Sequence, residues 1–107
     1  MANNYKNKKV DLTTTDATVL YTCPNATSGL VKSILVSEDS GNADTITVTI
    51  TDSAAAVFSV YKNEGVGALS SKELLSQPLV VMESEILKVT AATAGRLHVV
   101  ASYLEIT

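Results

Sequence analysis

Reactive side chains are scarce in this chain. Of its 107 residues one is cysteine, one is histidine and none is tryptophan, and a single phenylalanine accompanies four tyrosines. With Cys23 alone an internal disulfide is excluded, and one cysteine with one histidine cannot make a Cys/His zinc site. Cys23 closes an apolar run just before Pro24, the setting of a small packing residue. A nucleophilic thiol would need a base beside it and a lowered pKa. His98, the only histidine, lies in the most apolar stretch, where a backbone group can satisfy it. Charge is sparse too: 18% of residues are Asp, Glu, Lys or Arg, with a net charge of −3. Nucleic-acid readers carry a basic face that neutralises phosphates. Here the cationic residues are scattered, apart from Lys6, Lys8 and Lys9, so no nucleic-acid partner is expected. No apolar run approaches the roughly 18 residues of a membrane span. The polar start has no apolar core of a secretion signal. A membrane partner is therefore not expected, and synthesis and assembly in a cytosol are.

What is abundant is β-branched. Val, Ile and Thr supply 31 residues, and such side chains suit a pleated, half-buried surface. Strand patterns fall at regular intervals, over 8–13, 18–23, 29–37, 45–52, 57–62, 73–81 in broken form, 86–91 and 97–106. Along 45–51 the alternation is complete, with Ile46, Val48 and Ile50 on one face and Thr45, Thr47, Thr49 and Thr51 on the other. The run 97–106 is apolar on both faces, as in a central strand covered on both sides. Turn residues punctuate the runs, including Pro24, Gly29, Gly41, Gly65, Gly67 and Gly95. Ser70 to Ser76 reads as strand, or at most one helical turn halted by Pro78. The expected fold is all-β: one antiparallel β-sandwich domain over 1–107, jelly-roll-like or Ig-like, of about 7–8 strands, with 1–9 as a polar N-terminal arm.

No constellation is strong enough to predict catalysis, and neither an enzyme nor a cofactor is expected. Glu38, Asp39 and Asp44 share one turn and offer hard oxygen ligands for Ca²⁺, but without the ligand register of an EF-hand, and Asp is an ordinary turn former. Glu83 and Glu85 bracket a turn, where solvated acids are the rule, rather than facing across a hydrolase cleft. Gly65-Val-Gly67 lacks the third glycine and the strand–helix setting of a phosphate loop. Two groups remain as interface candidates. Lys6, Lys8 and Lys9 can touch nucleic acid or an acidic partner, or simply keep an edge strand soluble as a solvated tail. The threonine row Thr45, Thr47, Thr49 and Thr51 is either a plain solvent face or marks a sheet edge that pairs with a neighbouring subunit.

Several stretches carry a resemblance. Val19-Leu-Tyr-Thr-Cys-Pro24 followed by Gly29-Leu-Val-Lys-Ser-Ile-Leu-Val-Ser37 resembles the opening of small virion proteins of tailed phages, marine and cyanobacterial phages among them. Ala43 to Ile50, Gln77 to Val81, Ile86 to Ala91 and Arg96 to Ile106 fit as well, so the resemblance spans roughly 10–107. The chain departs from that pattern at Ser84-Glu85, where a Gly-Asp turn is usual. The resemblance implies a non-enzymatic structural component of a phage particle, assembled in the host cytoplasm through contacts with other virion proteins and copies of itself. A capsid decoration subunit suits a short chain without a stalk, and a neck or tail accessory subunit is the alternative. A glycan- or host-surface-binding β-sandwich is the rival from another class. It would place aromatic rings on loops, whereas Tyr5, Tyr21, Tyr61 and Tyr103 fall in or near strand patterns.

Overall fold

A computed structural model describes residues 3–107. Nine strands account for the regular structure: β1 (Asn3–Asp11), β2 (Thr18–Thr22), β3 (Ser28–Glu38), β4 (Asp44–Thr51), β5 (Val57–Val66), β6 (Ser71–Glu73), β7 (Leu79–Val81), β8 (Ile86–Ala91) and β9 (Leu97–Ile106). No helix forms among the described residues, and so none is long and apolar enough to cross a membrane. One sheet runs β1-β9-β3-β6, with β7 also on β3. The other runs β2-β8-β4-β5. All pairings are antiparallel.

The topology has a simple description. β1 pairs with β9, β2 with β8, β3 with β6 and β7, and β4 with β5. The chain is thus paired as one long hairpin with its tip between β4 and β5. Winding that hairpin over itself brings β9 against β3 and β8 against β4. This is the jelly roll, the first of the two expected topologies, with one strand split into β6 and β7. The split follows the sequence: Pro78 has no N–H to donate, so it suits an interruption between two short edge strands.

The core lies between the sheets. Ile46 and Val48 are fully buried while Thr45, Thr47 and Thr49 on the opposite face of β4 are half-buried, as the alternation predicts. Val31, Ile34 and Val36 of β3, Leu87 and Val89 of β8, and Leu97 and Val99 of β9 complete the same layer with no exposure. Each such side chain contributes about 1.5–3 kcal/mol by leaving water. A bulge between Val19 and Tyr21 breaks the alternation of β2, so Leu20 and Tyr21 are both buried. The Tyr21 ring then crosses β3 at Gly29, where a Cβ would sit 2.7 Å from the ring; only a bare Cα fits.

Four expectations are corrected. Among the described residues there are nine strands, not seven or eight, because the 73–81 pattern resolves into two. The polar segment from residue 3 to 9 is no arm: it extends β1, whose edge pairing with β9 supplies backbone partners for polar residues; residues 1 and 2 of the expected arm lie outside the described residues. β9 is central, between β1 and β3, yet its outer side is covered only in part: His98, Val100 and Ser102 are exposed, while Leu104 is buried. The stretch 45–51 is not a sheet edge, because β8 and β5 occupy both sides of β4.

Candidate interaction surface

Residues directly opposite in an antiparallel pair point to the same face. Lys6 and Lys8 of β1 sit opposite Tyr103 and Ala101, both buried, so these two lysines point toward the gap between the sheets, and Lys9, opposite the exposed Val100, points away. Lys6 reaches Glu105 at 2.8 Å. Glu105 is only 6% exposed, and the buried Tyr21 hydroxyl donates to its other oxygen at 2.7 Å. The Lys6 hydrogen bond holds the Glu105 carboxyl below its ordinary range, against burial and with help from Tyr21. The same contact raises Lys6, while burial first and then the bond to Glu105 push the Tyr21 hydroxyl far up. Tyr103 packs tilted against Tyr21, with ring centroids 4.4 Å apart and the planes at 42°. The groove beside this cluster, about 440 Å³, is lined by Lys8, Thr22 and Pro24 as well. On the opposite edge of the same sheet, Lys72 of β6 points inward in the same way and pairs with Glu64 of β5.

The remaining candidates are dispersed. Glu38 is 2% exposed, and its carboxylate takes the Ser40 hydroxyl and the backbone N–H groups of Ser40, Gly41 and Leu69. Burial alone would raise this carboxyl, but those four donors bring it down to about 2. Asp39 faces the His98 Nδ1 at 3.4 Å, and Asp11 faces its Nε2 at 3.2 Å. Asp44 accepts the Thr93 N–H at 3.0 Å. The three acids proposed for Ca²⁺ are therefore spent in three places, and no group of three or more acids, histidines or cysteines that could hold a metal occurs among the described residues. Cys23 is buried, its thiol directed at the Thr27 carbonyl. A bowl of about 510 Å³ at one end holds Asp44 and Arg96, with no aromatic ring in its lining; Arg96 is drawn to the Ala43 carbonyl. The threonine row keeps its outward face, and Thr47 anchors β5 by accepting the Asn63 N–H.

The outer face of the first sheet gathers four exposed apolar side chains, Tyr5, Leu35, Val80 and Val100. Pairing sets its side chains in rows across the strands. Tyr5, Leu104, Leu30 and Val80 form an apolar row across four strands. Asn7, Ser102 and Ser33 form a small polar row. Lys9, Val100, Leu35 and Glu73 form a third, with a cation at the β1 end and an acid at the β6 end. Asp11, His98, Ser37 and Ser71 close the face. Tyr5 is 75% exposed and Val80 54%. The Lys32 amine, displaced by a bulge in β3, lies 5.6 Å from the centre of the Tyr5 ring. Lys9 alone of the expected interface residues belongs to this face. The rest of it was not singled out in the sequence, although apolar residues on both faces of 97–106 were its signal.

No protein-family model matches the chain, and no curated protein matches it either. The resemblance to tailed-phage virion proteins thus has no sequence match behind it. Among solved structures, a chain from the structure of infectious bursal disease virus, Gt strain, is similar with a TM-score of 0.48 and 9% identity. The likeness covers 98% of this chain and 30% of that one, so this chain spans less than a third of its length.

Proposed function

We propose that this chain is a non-enzymatic structural subunit that acts by protein–protein contact, as a decoration-type component of a phage capsid. The observation that carries the reading is the outer face of the β1-β9-β3 sheet, where exposed Tyr5 and Val80 share one row and exposed Val100 and Leu35 another, with Asn7, Ser102 and Ser33 between them and Lys9 and Glu73 at the ends of the second. Contiguous apolar patches mark interaction sites on otherwise soluble domains. The charged groups point the same way: Glu38, Glu105 and Asp44 each hold the fold together instead of converging on a cleft. Jelly rolls serve viral capsids as well as lectins and cupins, so the fold is compatible with the proposal by analogy. The resemblance in the sequence supplies the phage setting.

Edge-to-edge assembly is disfavoured. Lys6 and Lys72 point inward on the edges of one sheet. β2 is short and bulged, and β5 carries two register shifts against β4. Inward charges, short strands and bulges are the devices that stop a sheet edge from recruiting another strand. Contact therefore falls to faces.

The test is composition of the particle. Tailed-phage particles from the host that makes this chain, purified through a density gradient and washed in high salt, should retain it in fixed proportion to the shell protein by quantitative mass spectrometry. Its absence from washed particles refutes the proposal. Retention on isolated tails or necks and not on capsids replaces decoration with the tail or neck subunit.

A further inference from the structure

From the same outer face we infer that two copies of this chain pair face to face, related by a two-fold axis that runs parallel to the strands between β9 and β3. The inference rests on the proposed assembly role and names the first partner. Three observations lead to it. On its outer side β9 carries Val100 and Leu104 alternating with the polar His98 and Ser102; Leu104 is already 9% exposed, while Val100 stays open at 36%. The rows are symmetric about the line between β9 and β3: Leu104 and Leu30 flank it in one row, Val100 and Leu35 in another. One row is charged oppositely at its two ends, with Lys9 at the β1 end and Glu73 at the β6 end.

A two-fold along the strands exchanges the two ends of each row. It sets Leu104 over the partner copy's Leu30, Val100 over its Leu35, and Lys9 over its Glu73. A cation meets an acid twice, and like charges in that row do not face one another. Such an isologous contact is self-complementary by construction. The face is about 19 Å across its four strands and about 20 Å along them, from strand spacings of about 4.8 Å and 3.3 Å per residue. That is roughly 400 Å² in plan per copy, or about 800 Å² for the pair, below the roughly 1,200–2,000 Å² of a standard stable interface, so the contact belongs with the weak, transient ones.

The experiment is sedimentation velocity of the whole chain over a concentration series from about 1 to 500 µM, with circular dichroism to check folding. The wild type should pass from monomer to dimer within the series. Val100→Glu, at an exposed site beside the axis, should stay folded and remain monomeric throughout. Lys9→Glu should weaken the dimer about tenfold, by setting like charges opposite at both ends. Lys8→Glu, the same change one residue away but turned into the gap between the sheets, should leave the dimer constant within about twofold. A wild type that stays monomeric to 500 µM overturns the inference. So does a dimer indifferent to Val100→Glu and Lys9→Glu. Binding of the wild type and Val100→Glu to purified capsids, measured in parallel, separates the two readings: a monomer that still binds capsids overturns only the pairing, and a dimer absent from particles overturns only the virion role.

Discussion

Removing one oxygen atom, by Tyr21→Phe, isolates what the tyrosine hydroxyl does for the buried Glu105. The ring is 2% exposed, rests on Gly29 and packs against Tyr103, and phenylalanine keeps all of that. What disappears is a 2.7 Å hydrogen bond to a carboxylate that is nearly out of water. Bonds to charged acceptors contribute about 1.5–3 kcal/mol. Lys6 still holds the other oxygen, so the acid does not become an unpaired buried charge, and about 2 kcal/mol is the expected loss at pH 7. For a domain of this size that lowers Tm by about 10 °C. The loss should depend on pH. Glu105 sits below its ordinary range in the fold, and once it is protonated the hydroxyl donates to a neutral acceptor, for which about 1 kcal/mol is usual. Urea unfolding of both proteins from pH 7 to 2.5, followed by circular dichroism, measures the difference at each pH. A penalty under about 0.5 kcal/mol at pH 7, or one that stays constant across the series, refutes the reasoning.

Gly29→Ala places a methyl group 2.7 Å from the Tyr21 ring and should cost about 1–3 kcal/mol by overpacking; Tyr21→Leu in the same chain should recover part of that in a double-mutant cycle. Val48→Asp puts a charge at a site with no exposure and should cost about 4 kcal/mol or more, whereas Thr49→Asp, outward and opposite Lys88, should cost under about 1 kcal/mol; both are read from denaturant midpoints. Glu38 and Glu105 both titrate below the ordinary value of 4.5 in the folded chain. The stability they contribute is therefore present above pH 4.5 and is lost as pH falls through the folded values, about 2 for Glu38. Thermal melts should fall steadily across that window, and Glu38→Gln should flatten the fall.

Local pattern was legible in the sequence wherever one face of a strand is wet. The threonine alternation located β4 and assigned its inner face correctly, because period two is a property of the strand alone. That β4 is interior was not legible, since it depends on which strands pair, and pairing is set by the winding of the whole hairpin. β5 outruns its strand pattern in the sequence, which ends at 62. It continues to Val66 through Asn63, a residue at φ 52 where the ladder slips, and a left-handed asparagine looks like a turn in sequence. The burial of Glu38 and Glu105 is not legible locally. Glu105 stands in an apolar run and Glu38 at the head of a polar loop. Their burial follows from Tyr21, Lys6 and Leu69, which lie 31 to 99 residues away in the chain.

The wound hairpin also sets the order in which the molecule can be made. β9 is the middle of its sheet and the last of the nine strands to leave the ribosome, while its partner β1 is the first. Until β9 arrives, β1 has no neighbour and β3 lacks one side, so that sheet cannot close around a growing chain. The β4–β5 hairpin, by contrast, joins neighbours in sequence and can form early. Folding dominated by such distant pairings is slow, in milliseconds to seconds for sandwiches of this kind. During that interval the unpaired edges of β1 and β3 and the apolar inner side of β3 are open together, and a cell that makes many copies at once must hold them apart until the final strand is in place.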